Sequence, residues 1–128
     1  MATKEFIAYK GAVFTVEWYF DERGRSPALD YFLTLSEDRR IRVMHLFKRI
    51  GDFGKISDIT KFRSEGDKIF AFKPQPDRFL SFFVAGKKIV ISNAFEKKSQ
   101  KLPFKEKERA LQSKNDYESR TSKGSYYL

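Results

Sequence analysis

Apolar and polar residues alternate with a period of two near the N-terminus, which is the pattern of a β-strand. One face of the segment AVFTVEWYF, residues 12–20, carries Phe14, Val16, Trp18 and Phe20. The residues DERGR come next and are typical of a turn. We therefore predict a strand over residues 12–20 with a buried apolar face.

A helical pattern replaces this alternation after the turn. Ser26 can cap the free amides of a helix, and Pro27 suits its first position. The apolar stripe of this short helix consists of Leu29, Phe32 and Leu33. Ser36 can cap a second helix in the same way, so the sequence predicts two consecutive helices that form an αα-hairpin.

The second helix is predicted to run from Ser36 to about Ile50, where Gly51 and Gly54 are expected to break it. His45 lies on this helix among apolar residues, and we expect it to have a structural role. The side chains predicted to be buried are Ile41, Met44, Phe47 and Ile50.

Three β-rich segments between residues 67 and 93 predict a meander. They are DKIFAFK, RFLSFFV and KKIVISN, and the turn-forming residues PQPD and AGK separate them. Connections this short favour antiparallel neighbours. The order of elements predicts an α+β domain in which helices cover one face of a sheet.

The C-terminal part is more polar. Pro103 begins a last predicted helix over roughly residues 104–119. Its weak apolar side is formed by Phe104, Ala110, Leu111 and Tyr117. We predict a single domain over residues 1–119, followed by a flexible tail over residues 120–128 that offers little to bury.

Composition adds a strong positive charge to this picture. The 128 residues fit one domain, and 26 Lys and Arg residues against 17 Asp and Glu residues give a net charge of +9. A small basic domain usually binds a polyanion. There is no run of about 18 apolar residues and no continuous apolar signal core. We therefore expect a soluble cytoplasmic protein that does not bind a membrane.

Several kinds of chemistry are excluded because the required residues are missing. The chain has no cysteine and one histidine, which removes thiolate catalysis, cysteine zinc sites and any pair of histidines. It also has no glycine-rich phosphate loop and no Gly-x-Ser-x-Gly motif. We expect neither a metal nor a small-molecule cofactor.

A cluster of cations beside the predicted strands remains as the candidate site. Only PQPD separates Lys73 from Arg78, so the two cations are predicted to lie near each other. In an antiparallel meander the end of the third strand, with Asn93 and Phe95, lies beside Arg78. This end continues into Lys97, Lys98 and Lys101. Cations bind phosphates and aromatic faces can stack on bases, which indicates an RNA site.

RNA can be cut without a metal when its 2′-OH attacks the adjacent phosphate. Such a reaction requires cations on the phosphoryl oxygens, a base for the 2′-OH and an acid for the leaving oxygen. A lysine whose pKa is lowered by neighbouring cations can act as base or acid. The sequence thus permits a metal-independent ribonuclease built on lysine and arginine.

Residues 67–117 resemble the phage-derived branch of the RelE/HigB-like toxins of type II toxin–antitoxin systems. In that family an apolar strand ends in a cation, and a short loop leads to an Arg-led strand. A later strand ends at Phe-x-Lys-Lys-[ST]-x-Lys-x-Pro, and a helix with a central Ala and a closing Asp-Tyr follows. The matching residues here are Lys73, Arg78, Phe95, Lys97, Lys98, Ser99, Lys101, Pro103, Ala110, Asp116 and Tyr117.

The resemblance implies a small twisted antiparallel sheet packed on an N-terminal αα-hairpin, with a C-terminal helix. It implies a ribosome-dependent mRNA endonuclease that is silenced by a cognate antitoxin, expected to be a helix-turn-helix protein. The implied catalytic residues are Lys73, Arg78 and Lys98. The implied RNA-binding residues are Asn93, Phe95, Lys97 and Lys101.

The chain departs from the family pattern at three positions. Many relatives have Glu two residues before the first cation, His or an aromatic before the strand-opening Arg, and His-Gly before the motif Phe. This chain has Ala71, Asp77 and Asn93-Ala94 at those positions, which removes possible acid, base or stacking groups. Two alternatives therefore stay open: a non-enzymatic DNA gyrase inhibitor of the related ParE type, and a basic nucleic-acid-binding module.

Overall fold

A computed structural model describes residues 4–128, which form six strands and three helices. The strands are β1 (Ile7–Lys10), β2 (Thr15–Trp18), β3 (Phe62–Ser64), β4 (Phe70–Phe72), β5 (Asp77–Val84) and β6 (Lys88–Glu96). The helices are α1 (Pro27–Thr34), α2 (Glu37–Phe53) and α3 (Phe104–Ser122). No helix in this part of the chain is long and apolar enough to span a membrane.

All six strands form one sheet in the order β1-β2-β6-β5-β4-β3. The predicted meander is present as β4, β5 and β6, which are antiparallel neighbours. The prediction of a wholly antiparallel sheet is wrong for one pair, because β2 and β6 run parallel. Short turns impose antiparallel pairing, whereas β2 and β6 are joined through two helices and three strands, which allows a parallel return.

The two edge strands of the sheet, β1 and β3, were not predicted from the sequence. The short, half-exposed strand β1 pairs with β2, and the short strand β3 pairs with β4. The predicted N-terminal αα-hairpin is not matched, because the described chain starts with β1 and β2 and the two helices follow them. Neither edge strand has the long alternating pattern that identifies a strand in a sequence.

One face of the sheet is covered by α1 and α2. Val16 and Trp18 of β2 point into this layer, as predicted, and pack with Phe47 of α2. The predicted apolar stripes of the helices are partly wrong, since Leu33 and Ile41 are exposed. The side chains that α1 and α2 bury are Ala28, Val43, Leu46, Phe47 and Ile50.

The end of α2 is fixed by close backbone contact with the loop between β1 and β2. Gly51 does not break the helix, which continues to Phe53 and ends at Gly54 with a φ of 82°. The carbonyl of Gly51 accepts hydrogen bonds from the amides of Val13 and Phe14 at 2.7 and 2.9 Å. A Cβ at Gly11 would lie 2.2 Å from the carbonyl carbon of Gly51, so this approach requires glycine.

The other face of the sheet is covered by α3, so helices cover both faces rather than the predicted one. Ala110 and Tyr117 of α3 pack against apolar side chains of the central strands. Phe104, which was predicted to join this apolar side, is exposed at the first turn of the helix. The sheet is therefore the middle layer of three.

Residues 120–128 differ from the predicted flexible tail. The helix α3 continues to Ser122, and Tyr126 is 1% exposed. The Tyr126 hydroxyl accepts a hydrogen bond from the amide of Phe20 at 2.9 Å, and its ring packs on Tyr117. The Arg120 guanidinium donates to the carbonyl of Phe20 at 2.6 Å. The chain end thus closes the core beside the end of β2.

We predict that Tyr126→Ala lowers the free energy of unfolding by about 3–5 kcal/mol, the cost of truncating a large buried aromatic. Tyr126→Phe should cost about 1–3 kcal/mol, because it leaves the buried amide of Phe20 without an acceptor. Leu128→Ala is the control, since Leu128 is 88% exposed. Urea unfolding measures all three, and equal stabilities of Tyr126→Ala and Leu128→Ala would show that the tail is not part of the core.

Candidate functional site

The pleat of β5 sends Asp77 and Arg78 to opposite faces of the sheet. Asp77 pairs with Glu96 and Arg78 pairs with Phe95 in the antiparallel ladder with β6. Asp77 faces α1 and α2, where it binds Arg39. Arg78 therefore faces the side of the sheet that α3 covers.

Asp77 is buried and fixed by two side chains. The Arg39 guanidinium donates to both carboxylate oxygens, at 3.0 Å from Nε and 2.5 Å from Nη2. The Tyr31 hydroxyl donates to the same carboxylate at 2.5 Å. Burial, followed by this hydrogen bond, raises the pKa of Tyr31 above its usual value. Asp77 is therefore an anchor of the helical layer and does not face Arg78.

Arg78 lies in a pocket between the sheet and the loop that leads into α3. The pocket has a volume of about 90 Å³. We call it the cationic pocket. Its lining residues are Arg63, Glu65, Ala71, Lys73, Arg78, Phe95, Lys97, Ser99, Gln100, Lys101, Leu102 and Pro103. Four strand ends and one loop thus contribute five cationic side chains and one carboxylate.

Arg78 is the least exposed cation of this pocket, at 8% exposed. Its Nη1 donates to the carbonyl of Asp77 at 2.9 Å and to Oε1 of Gln75 at 3.4 Å. Its Nε and Nη2 donate to no partner within residues 4–128. Burial lowers the pKa of Arg78, and the Glu65 carboxylate opposes that shift. An anion entering the pocket would find two guanidinium donors available in a fixed orientation.

Lys73 lies where β4 ends, and its pKa is lowered from its usual value. Burial is the largest cause, followed by the positive charge of Arg63. Glu65 opposes the shift, while Arg78 and Lys97 add to it by smaller amounts. The ammonium of Lys73 is thus held among like charges, which increases the fraction of neutral amine near neutral pH.

Arg63 and Glu65 were missed because the short strand β3 was missed. Arg63 pairs with Ala71, so both side chains lie on the face of the sheet that carries Lys73. Nε of Arg63 lies 3.4 Å from Oε2 of Glu65. The segment KFRSEGDK contains polar residues and one apolar position, so the sequence carried no alternation that could have identified the strand.

The structure brings together most of the predicted site but not all of it. Lys73, Arg78, Phe95, Lys97 and Lys101 all line the cationic pocket. The Lys97 amide donates to the carbonyl of Pro76 at 2.9 Å, which ties the end of β6 to the loop before β5. The predicted proximity of Lys73 and Arg78, and of Arg78 and the end of the third meander strand, is confirmed.

Lys98 and Asn93, which were also predicted to be site residues, lie outside the pocket. Lys98 is on the face that carries Glu96, and its Nζ lies 3.7 Å from Oε2 of Glu96. Asn93 is buried beneath α3, where its amide donates to the carbonyl and side chain of Glu106 at 3.1 and 3.0 Å. Asn93 therefore holds α3 on the sheet.

Residues 30–115, more than half of the chain, match the family described as Phage derived protein Gp49-like (DUF891). The chain belongs to this phage-derived family, which is part of the RelE-like toxin group. Membership of this family is consistent with a role as the toxin of a toxin–antitoxin pair. No curated protein sequence matches the chain. The matched region contains every residue of the cationic pocket.

We predict opposite effects on Lys73 from neutralising its two charged neighbours on β3. Glu65→Gln removes a negative charge that favours the ammonium, so the pKa of Lys73 should fall further. Arg63→Gln removes a positive charge that opposes the ammonium, so this pKa should rise. NMR titration of the lysine side-chain signals measures both shifts.

The exposed Lys98 supplies the control variant, since it lies outside the pocket. Lys98→Gln should leave the pKa of Lys73 unchanged, because Lys98 is not among the charges that shift it. A Lys73 pKa that responds to neither Glu65→Gln nor Arg63→Gln would contradict the described arrangement of the pocket.

Proposed function

We propose that the protein is the toxin of a type II toxin–antitoxin system and cuts mRNA on the ribosome through 2′-OH attack. The observation that carries this proposal is the cationic pocket, in which the donors of Arg78 and the lowered pKa of Lys73 occur together. Membership of the Gp49-like family supports the toxin part of the proposal. The net charge of +9 supports a polyanionic substrate.

The proposed reaction breaks one bond and forms one bond at phosphorus. The 2′ oxygen of a ribose bonds to the adjacent phosphorus, and the bond from phosphorus to the 5′ oxygen of the next nucleotide breaks. The neutral amine of Lys73 accepts the proton of the 2′-OH. Lys97, which lines the same pocket, supplies a proton to the leaving 5′ oxygen. The products are a 2′,3′-cyclic phosphate and a 5′-OH.

Arg78 has a different role in this proposal because its charge does not change near neutral pH. Its Nε and Nη2 donate to the phosphoryl oxygens, where negative charge grows in the transition state. The side chain is already oriented by Asp77 and Gln75, so little reorganisation is needed when the substrate binds. Such a preorganised donor favours the transition state over the ground state.

The proposed partners are mRNA on the ribosome and an antitoxin that covers the pocket until the toxin is released. An antitoxin that covers five cationic side chains should carry acidic residues at the contact. Neither partner requires a metal or a small-molecule cofactor in this proposal.

We predict that expression of the protein without an antitoxin arrests bacterial growth and fragments translated mRNA. Arg78→Ala should reduce cleavage by about a hundredfold or more, the scale for losing one preorganised donor. Arg78→Lys should restore only part of it, because a point charge lacks the two parallel donors. Primer extension on mRNA from induced cells measures the cleavage.

Lys73→Arg tests the proton transfer separately. It keeps the positive charge but removes a group that can lose its proton near neutral pH, so cleavage should fall while RNA affinity stays nearly unchanged. Lys98→Ala is the matched control, since Lys98 is an exposed cation outside the pocket. Melting curves of each variant exclude unfolding as the cause. Full toxicity of Arg78→Ala would show that the active site does not lie in this pocket.

The same induction separates the proposal from the ParE-type alternative. A gyrase inhibitor would trigger a DNA-damage response and leave mRNA intact, whereas a ribonuclease would deplete mRNA first. A basic binding module without enzymatic activity would do neither. Growth arrest with intact mRNA would therefore contradict the ribonuclease part of the proposal.

A further inference from the structure

We propose that Phe104 forms a nucleotide subsite beside the cationic pocket, where its ring stacks on a base of single-stranded RNA. This inference rests on the proposed function and extends it to the RNA outside the reacting phosphate. The geometry points to Phe104 through three observations: a continuous groove, an unpacked aromatic ring and surrounding cations.

The groove continues from the cationic pocket toward the start of α3. A second depression shares Arg63, Glu65 and the loop over residues 99–103 with the pocket. It adds Phe104 and Lys107 of α3. A chain that places one phosphate beside Arg78 can therefore extend along this groove to the ring of Phe104.

The ring of Phe104 is 78% exposed and belongs to neither apolar cluster of the fold. A single exposed phenylalanine is common on protein surfaces and is not by itself a site. Phe104, however, lies at the first position of α3, directly after Pro103, so its backbone is held by the helix. A stacking surface of this kind loses little conformational freedom when it binds a base.

The charges around Phe104 favour a nucleic acid over an apolar peptide. Lys101 is exposed and forms no ion pair within the described residues. Arg63 and Lys107 flank the groove, paired with Glu65 at 3.4 Å and with Asp67 at 2.8 Å. Cations along a groove with an aromatic side chain form the usual arrangement for single-stranded nucleic acid.

The test uses two short oligonucleotides of equal charge, labelled for fluorescence anisotropy. One is single-stranded 2′-O-methyl RNA, which cannot be cut because its 2′ oxygen carries no proton. The other is the same backbone without bases. Phe104→Ala should weaken binding of the first by roughly five- to hundredfold, the range for losing one base–aromatic stack. Its affinity for the oligonucleotide without bases should not change.

Two further variants make the result specific to stacking. Phe104→Trp should bind the 2′-O-methyl RNA at least as well as the wild type, because it restores an aromatic face. Phe53→Ala is the matched control, since Phe53 is 76% exposed at the end of α2 and lies outside the groove. Its affinity for both oligonucleotides should equal that of the wild type.

The outcomes distinguish this inference from the proposed function. If Phe104→Ala binds the 2′-O-methyl RNA as the wild type does, the stacking subsite is overturned, while mRNA cleavage by the wild type would still support the ribonuclease. The stacking subsite is also overturned if Phe104→Ala weakens the binding of a protein partner but not the binding of the 2′-O-methyl RNA. If the wild type neither binds this RNA nor cleaves mRNA, the subsite and the ribonuclease are both overturned.

Discussion

The orientation of the cationic pocket depends on the pleat of β5 at Asp77 and Arg78. The ladder between β5 and β6 sets this pleat, because Asp77 pairs with Glu96 and Arg78 with Phe95. Arg39 holds Asp77 on the helical side of the sheet, with Nη2 2.5 Å from its carboxylate. Since neighbouring side chains of a strand point to opposite faces, fixing Asp77 also fixes Arg78 on the other face. A slip of one residue would exchange the two and dismantle the pocket.

The pocket concentrates positive charge at an energetic cost to the folded protein. Burial alone disfavours the charged forms of Lys73 and Arg78, and the lowered pKa of each reflects it. Glu65 offsets part of this cost because its carboxylate raises both pKa values. The pocket has one carboxylate and five cationic side chains, so it keeps an excess of positive charge that a bound polyanion would neutralise. Perturbed pKa values in a concave site of this kind point to a functional-site candidate.

Long or closely spaced sequence patterns allowed parts of the fold and of the site to be predicted, whereas short patterns did not. The faces of β2 and the proximity of Lys73 and Arg78 could be predicted, because an alternating run or a short loop determines them. The role of Asn93 could not be predicted. The register between β5 and β6 shifts at Leu80/Ser81, which leaves Ser92 without a register partner on β5. This irregularity turns Asn93 and Phe95 toward α3, whereas simple alternation from Ile91 would place them toward α2. The polar strand β3 and the packing of Tyr126 depend on distant partners, which no local pattern records.

The proposed function requires RNA to bind at Arg78, on the face of the sheet opposite Arg39. The most direct measurement is an NMR titration of the arginine Nε–Hε signals with an uncut 2′-O-methyl oligonucleotide. Arg39 provides the internal control, because its Nε is bound to Asp77 at 3.0 Å on the other face. RNA bound in the cationic pocket should produce a saturable shift of the Arg78 signal with little change at Arg39. A shift at Arg39 or elsewhere with no change at Arg78 would contradict it.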